Sequence, residues 1–203
     1  MASQTDICNL ALSILGKPTI ASIADNSNAA RVLGVEYDMV RRALLSGRPT
    51  WRFSIVRASL PALTTSPVSG PFTTQYALPS DCLKIMQVGD MYPGLDLSDY
   101  RLGPTDADYS LEGGNLLCDY GSPLSLVYVG DITNTALFHS WFVVYFAAEL
   151  AWTCCERLLG SDAKQQAAMQ RKMQAQSEAS ASNALLNPPS HPADDTWVAS
   201  RMQ

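Results

Sequence analysis

Apolar residues recur at intervals of three and four near both ends of the chain, and at intervals of two between them. In the first stretch Ile7, Leu10, Ala11, Ile14 and Leu15 form one apolar face, which predicts a helix over Gln4–Leu15. Ser3 and Asp6 have the spacing of a capping box, and Gly16 followed by Pro18 ends the element. Ser27 is a good N-cap for a second helix over Asn28–Ser46, whose stripe is Leu33, Tyr37, Val40 and Leu44. Gly47 and Pro49 stop it. On this helix Asp38 precedes Arg42 by four, and Arg31, Arg41 and Arg42 read as solvated or inter-subunit charges.

From Trp51 the period becomes two, with Trp51, Phe53 and Ile55 on one face of a predicted strand. Residues 61–72 carry three prolines and Gly70 and read as loop. Residues 74–78 and 82–88 read as strands, and residues 90–108 as turns. Glu112-Gly113-Gly114-Asn115 predicts a hairpin turn between two short strands, and Leu124, Leu126 and Tyr128 alternate in one more.

Helix returns near Leu137. Residues 141–148 are apolar without a break, too short for the ~20 residues of a membrane span. They predict a central buried helix, with Trp141, Phe142, Tyr145 and Phe146 packed on Leu10, Ile14, Val40 and Leu44. Gly160 ends it. The last helix, over residues 163–186, is so rich in Ala, Gln and Ser that it must be wet or pack through small residues. Pro188, Pro189 and Pro192 then exclude regular structure. The expected fold class is α+β, mainly α. Residues 1–50 and 136–187 form a helical bundle, 51–135 an inserted β-rich domain, and 188–203 an extended C-terminal tail.

Charge follows the same division. Of 203 residues only 16% are charged, against ~25% in a typical soluble protein, so part of the surface is expected to meet a partner. The net charge is −5, but residues 1–60 carry +3 and residues 81–131 carry −7. An acidic chain is a poor phosphate-gripping binder of nucleic acid. The amino terminus lacks the basic start and apolar run of a secretory signal. The five cysteines have no CxxC spacing, and neither His139 nor His191 lies at finger-like distance from a cysteine pair. Reduced, mostly buried thiols made in a cytoplasm are expected, with no metal and no cofactor.

Catalytic patterns are absent. Gly16-Lys17 has no phosphate-loop frame, Gly113-Gly114 opens no dinucleotide fingerprint, and no serine sits in a GxSxG elbow. His139, at a helix start, reads as support for that terminus. Asp96, Asp99, Asp106 and Asp108 are spaced as solvated turn carboxylates, with a glycosidase pair as the alternative. No catalytic residue is assigned, and the chain is read as a non-enzyme.

The order of segments resembles a known family. Cys8-Asn9-Leu10-Ala11-Leu12 leads into Leu15-Gly16-Lys17-Pro18 and Ile20-Ala21-Ser22-Ile23. Asn28-Ala29-Ala30-Arg31, Tyr37-Asp38, Arg41-Arg42-Ala43-Leu44-Leu45 and Trp51-Arg52-Phe53 follow. Then come Tyr76-Ala77-Leu78-Pro79-Ser80-Asp81-Cys82-Leu83, Glu112-Gly113, Tyr128-Val129-Gly130-Asp131-Ile132-Thr133 and Asp195-Thr196-Trp197. Together they are similar to the tail tubular protein A family, the head-to-tail adaptors of short-tailed bacteriophages. The similarity covers almost the whole chain; its most specific parts are the Tyr-x-Leu-Pro-x-Asp-Cys segment and the second-helix pattern. His139-Ser140 departs from the family's acidic or Asp-Pro helix start.

The resemblance implies a structural virion protein, made in the host cytoplasm. It would form a dodecameric ring docked on the portal above and the tail nozzle below, with genomic DNA passing through without specific binding and no membrane contact. A channel wall for DNA must repel phosphate, so Asp90, Asp96, Asp99, Asp106, Asp108 and Glu112 are channel-lining candidates. Trp and Arg are enriched among interface anchors, so Trp197, Val198 and Arg201, carried beyond Pro188 and Pro189, are portal or inter-subunit candidates. The alternative function is a tail-associated, polysaccharide-acting protein using the 96–108 loops.

Overall fold

The computed structural model describes residues 2–65, 67, 70–89 and 109–186. Its elements are α1 (Gln4–Leu15), α2 (Asn28–Ser46), β1 (Ile55–Leu60), β2 (Thr74–Ala77), β3 (Cys82–Val88), β4 (Tyr109–Glu112), β5 (Asn115–Cys118), β6 (Leu124–Gly130), α3 (Ser140–Leu159) and α4 (Asp162–Leu185). The fold is α+β and mainly α, with every described strand falling between α2 and α3.

The helix ends form where local chemistry satisfies the backbone. The Ser3 hydroxyl accepts from Asp6 N–H at 3.1 Å, and the Asp6 carboxylate accepts from Ser3 N–H at 2.8 Å. That bond holds the exposed Asp6 carboxyl below its ordinary range. Gly16 closes α1 at φ 69°, the left-handed conformation that favours glycine. Ser27 caps α2 by accepting from Ala30 N–H. At α3 the cap position is His139, whose side chain makes no capping bond; its ring meets Phe53 edge-on at 5.2 Å instead.

Helix α3 is the centre of the bundle. Its Phe142, Phe146, Ala147, Leu150 and Cys154 are fully buried, and α1, α2 and α4 all pack against it. Helix α4 brings Ala168, Ala175 and Ala179 to that contact, leaving Met169 and Met173 exposed. Small side chains let the two axes approach without large apolar groups. Lys172 reinforces the contact, 2.8 Å from Glu149 and over the Trp152 ring.

Two sequence expectations for this core are corrected. Trp141 is 44% exposed and Leu10 also faces outward, while Ile14 is only half-buried. Phe142, Tyr145, Phe146, Val40 and Leu44 are buried as expected, and Cys8 and Leu12 fill the place assigned to Leu10. Trp51 and Phe53 are not strand residues: Arg52–Ser54 is a 3-10 turn, and β1 begins at Ile55. Trp51 is buried among the helices, its Nε1 donating to Leu44 O at 2.9 Å and its ring edge-on to Phe142.

The strands form two antiparallel sheets of order β1-β6-β3 and β2-β5-β4. A bridge between Ala62 and Tyr76 and the bond from Leu63 N to Gln75 O stitch them together at one corner. Leu60, Tyr76, Leu116, Cys118, Leu124, Leu126 and Tyr128 form the core between them. The β4–β5 hairpin turns on Gly113 and Gly114, both at positive φ as a two-residue turn requires. Strand β6 is buried on both faces: Leu124, Leu126 and Tyr128 point into the sheet core, and Val129 into the helical core. Register shifts in β3 next to Leu83 and Met86 coincide with the residues that pack onto the helices.

Candidate functional site

The described residue with the most costly placement is Arg41. It lies on the apolar stripe of α2 between Tyr37 and Leu45 and is 3% exposed. A buried guanidinium must be paired, and the partners come from the chain leaving β6. Arg41 Nη1 donates to Ile132 O at 3.1 Å. Asp131 Oδ1 lies 3.1 Å from Arg41 Nη2 without the alignment of a hydrogen bond, so that contact is coulombic. Asp131 Oδ2 accepts from the neighbouring Arg42 Nε at 2.8 Å. Asp38 pairs with Arg41, at 3.2 Å, and not with Arg42 as the spacing of four suggested. Arg41 Nε and Tyr37 OH are buried without a hydrogen-bond partner.

Asp131 is in turn fixed to the start of β3. Its N–H donates to Asp81 O at 2.7 Å, and Tyr128 OH donates to the Asp81 carboxylate at 3.1 and 3.3 Å. Burial, with Asp81 alongside, pushes the Tyr128 hydroxyl up to about 12. Gly130 sits inside this knot. A Cβ there would come within 2.9 Å of Val56 Cγ2 and 3.4 Å of the Asp81 carboxylate, so glycine is required by close approach. Arg41 and Arg42 from α2, Asp81 from the β2–β3 connection, and Gly130-Asp131-Ile132 together clamp the sheet to the bundle. The clamp offers no nucleophile or proton-transfer pair; its chemistry is positioning.

One of these groups corrects the sequence reading: Arg41, read as solvated or inter-subunit, is buried and paired within the chain, whereas Arg31 and Arg42 are exposed as read, Arg42 also meeting Asp131. The available signal was register: position 41 falls on the same face as 33, 37, 44 and 45, where a charge needs an internal partner.

A second feature is a groove of about 420 Å³ between α2 and α4. Tyr145, Glu149 and Thr153, one line along α3, form its floor. Glu36, Met39, Val40, Ala43 and Leu44 line one wall and Lys172 and Gln176 the other. Met39 is 67% exposed at the rim, and the exposed Met173 stands next to Lys172 in α4.

Of the channel-lining candidates, Glu112 lies at the tip of the β4–β5 hairpin, exposed and accepting from Ser110 Oγ at 3.0 Å. Asp90, Asp96, Asp99, Asp106 and Asp108 lie outside the described residues, as do Pro188, Pro189, Trp197, Val198 and Arg201. Among the described residues no three His, Cys, Asp or Glu side chains cluster as metal ligands, and no helix is long and apolar enough to cross a membrane. All five thiols are free, four of them buried. Comparison with known proteins finds no family model and no curated protein that matches the chain.

Proposed function

We propose that the protein is a non-enzymatic head-to-tail adaptor of a short-tailed phage virion. It forms a ring between portal and tail nozzle through which the genome passes. The observation that supports this best is where the segments resembling tail tubular protein A meet. The second-helix pattern supplies Arg41 and Arg42, the Tyr-x-Leu-Pro-x-Asp-Cys segment supplies Asp81, and the third segment supplies Gly130, Asp131 and Ile132. These are far apart in sequence, yet they build one clamp that sets the sheet against the helices. A ring adaptor needs that rigidity, because each copy must hold two surfaces at fixed separation while DNA moves past.

In this reading Trp197, Val198 and Arg201 anchor on the portal or a neighbouring copy, carried there by Pro188 and Pro189. Some of Glu112 and the acids at 90, 96, 99, 106 and 108 face the lumen or its rim. The test is assembly on portal rings of short-tailed phages, followed by sedimentation. The chain is expected to join the portal ring, and deletion of residues 188–203 to weaken or abolish that. Failure of the intact chain to bind any such portal would overturn the proposal.

A further inference from the structure

Helix α3 is flanked by α1, α2 and α4, and the groove between α2 and α4 runs over its Tyr145–Glu149–Thr153 line, where Tyr145 is buried and Glu149 and Thr153 are half-buried. The groove's α2 wall carries an apolar strip, Met39, Val40, Ala43 and Leu44, with Met39 67% exposed at the rim, and such a strip can take an apolar side chain. The chain carries an aromatic–aliphatic pair beyond α4. Trp197 and Val198 stand eleven and twelve residues after Leu186. An extended segment of eleven residues reaches up to about 36 Å. The way back along α4 from Leu186 to Gln176 is about 15 Å. The start of the segment is itself held: Asn183 Nδ2 donates to Thr50 O at 2.8 Å, and Asn183 Oδ1 accepts from Arg52 N–H at 3.2 Å. The groove's carboxylates are already paired within the chain, Glu36 with Arg157 at 3.1 Å and Glu149 with Lys172 at 2.8 Å, so the segment would be held through its apolar pair and not by charge.

We propose that the groove between α2 and α4 is the docking site of this chain's own C-terminal segment, with Trp197 seated against Met39 and Ala43. The docked segment covers its own aromatic anchor until a partner competes for it. That consequence rests on the adaptor reading; the docking does not.

The test is amide hydrogen exchange on the full chain, with methionine-methyl NMR as the second readout. Residues 194–203 are expected to exchange at least about tenfold more slowly than a free chain, independently of protein concentration. Ala43→Glu, at an exposed helical position, should restore the free rate. Trp197→Ala should move the Met39 methyl signal out of its ring-current shift and leave Met86 in place. Free-chain exchange in the parent, or a Met39 signal indifferent to Trp197→Ala, would overturn the proposal. Protection that grows with concentration would overturn it in favour of a second copy as the donor. None of these outcomes involves portal, so failure here and failure of portal binding are separate results.

Discussion

Arg41 is a charge held in a place water barely reaches, and its neighbours have little freedom. Removing Asp131 leaves that charge only the exposed Asp38 and the Ile132 carbonyl: Asp131→Ala should destabilise the protein by about 3 kcal/mol in urea unfolding, the low end for a broken buried pair. Pairing it with Arg41→Met removes the stranded charge, so the double variant should lose less than the two single losses added together. Strict additivity would show that the two groups do not act as a unit. Gly130→Ala should cost about 1–3 kcal/mol, because the new methyl meets Val56 and Asp81. At this scale the sequence was half legible. Arg41 sits in an apolar register, which is readable, but its partner is 90 positions away and no periodicity points to it.

Elements were more legible than contacts because their ends are decided locally. The α1 and α2 boundaries follow from Ser3, Asp6, Gly16, Ser27 and Gly47, all within a turn of the terminus they set. Trp51 and Phe53 misled for the opposite reason. Alternating aromatics look like a strand, yet a buried hydrogen bond to Leu44 and the rings of α3 fold the segment into a 3-10 turn. The apolar run of α3 likewise could not say which side faced out. The structure does: Phe146→Ala should cost about 3–5 kcal/mol, while Trp141→Ala, at a half-exposed position, should cost clearly less. In α4 the same logic is inverted. Ala175→Leu should destabilise by about 1–3 kcal/mol through overpacking against α3, whereas Met173→Ala should stay within about 0.5 kcal/mol. Thermal melts of the four variants check the ordering.

For the whole molecule, the buried thiols set a limit at high pH. Burial pushes Cys8 up to about 11 and Cys154 to about 12, from 9.0 in the unfolded chain. Below pH 9 both states keep these protons and the thiols add no pH dependence. Above it the unfolded chain ionises first, so stability falls by up to ~1.4 kcal/mol per pH unit for each thiol until the folded pKa is reached. Cys154→Ala should flatten that decline between pH 9 and 11 in denaturant titrations; an unchanged slope would mean the thiol ionises equally well in both states. The charge division, basic at the start and acidic from 81 to 131, was legible from composition. The most direct measurement of the central claim is an averaged image of the chain assembled on a short-tailed phage portal. The account predicts a closed ring of copies beneath the portal, with the acidic β section toward the lumen and the C-terminal residues against portal or neighbour. A chain that stays apart from the portal, or a particle whose lumen is lined by the basic helices, would contradict it.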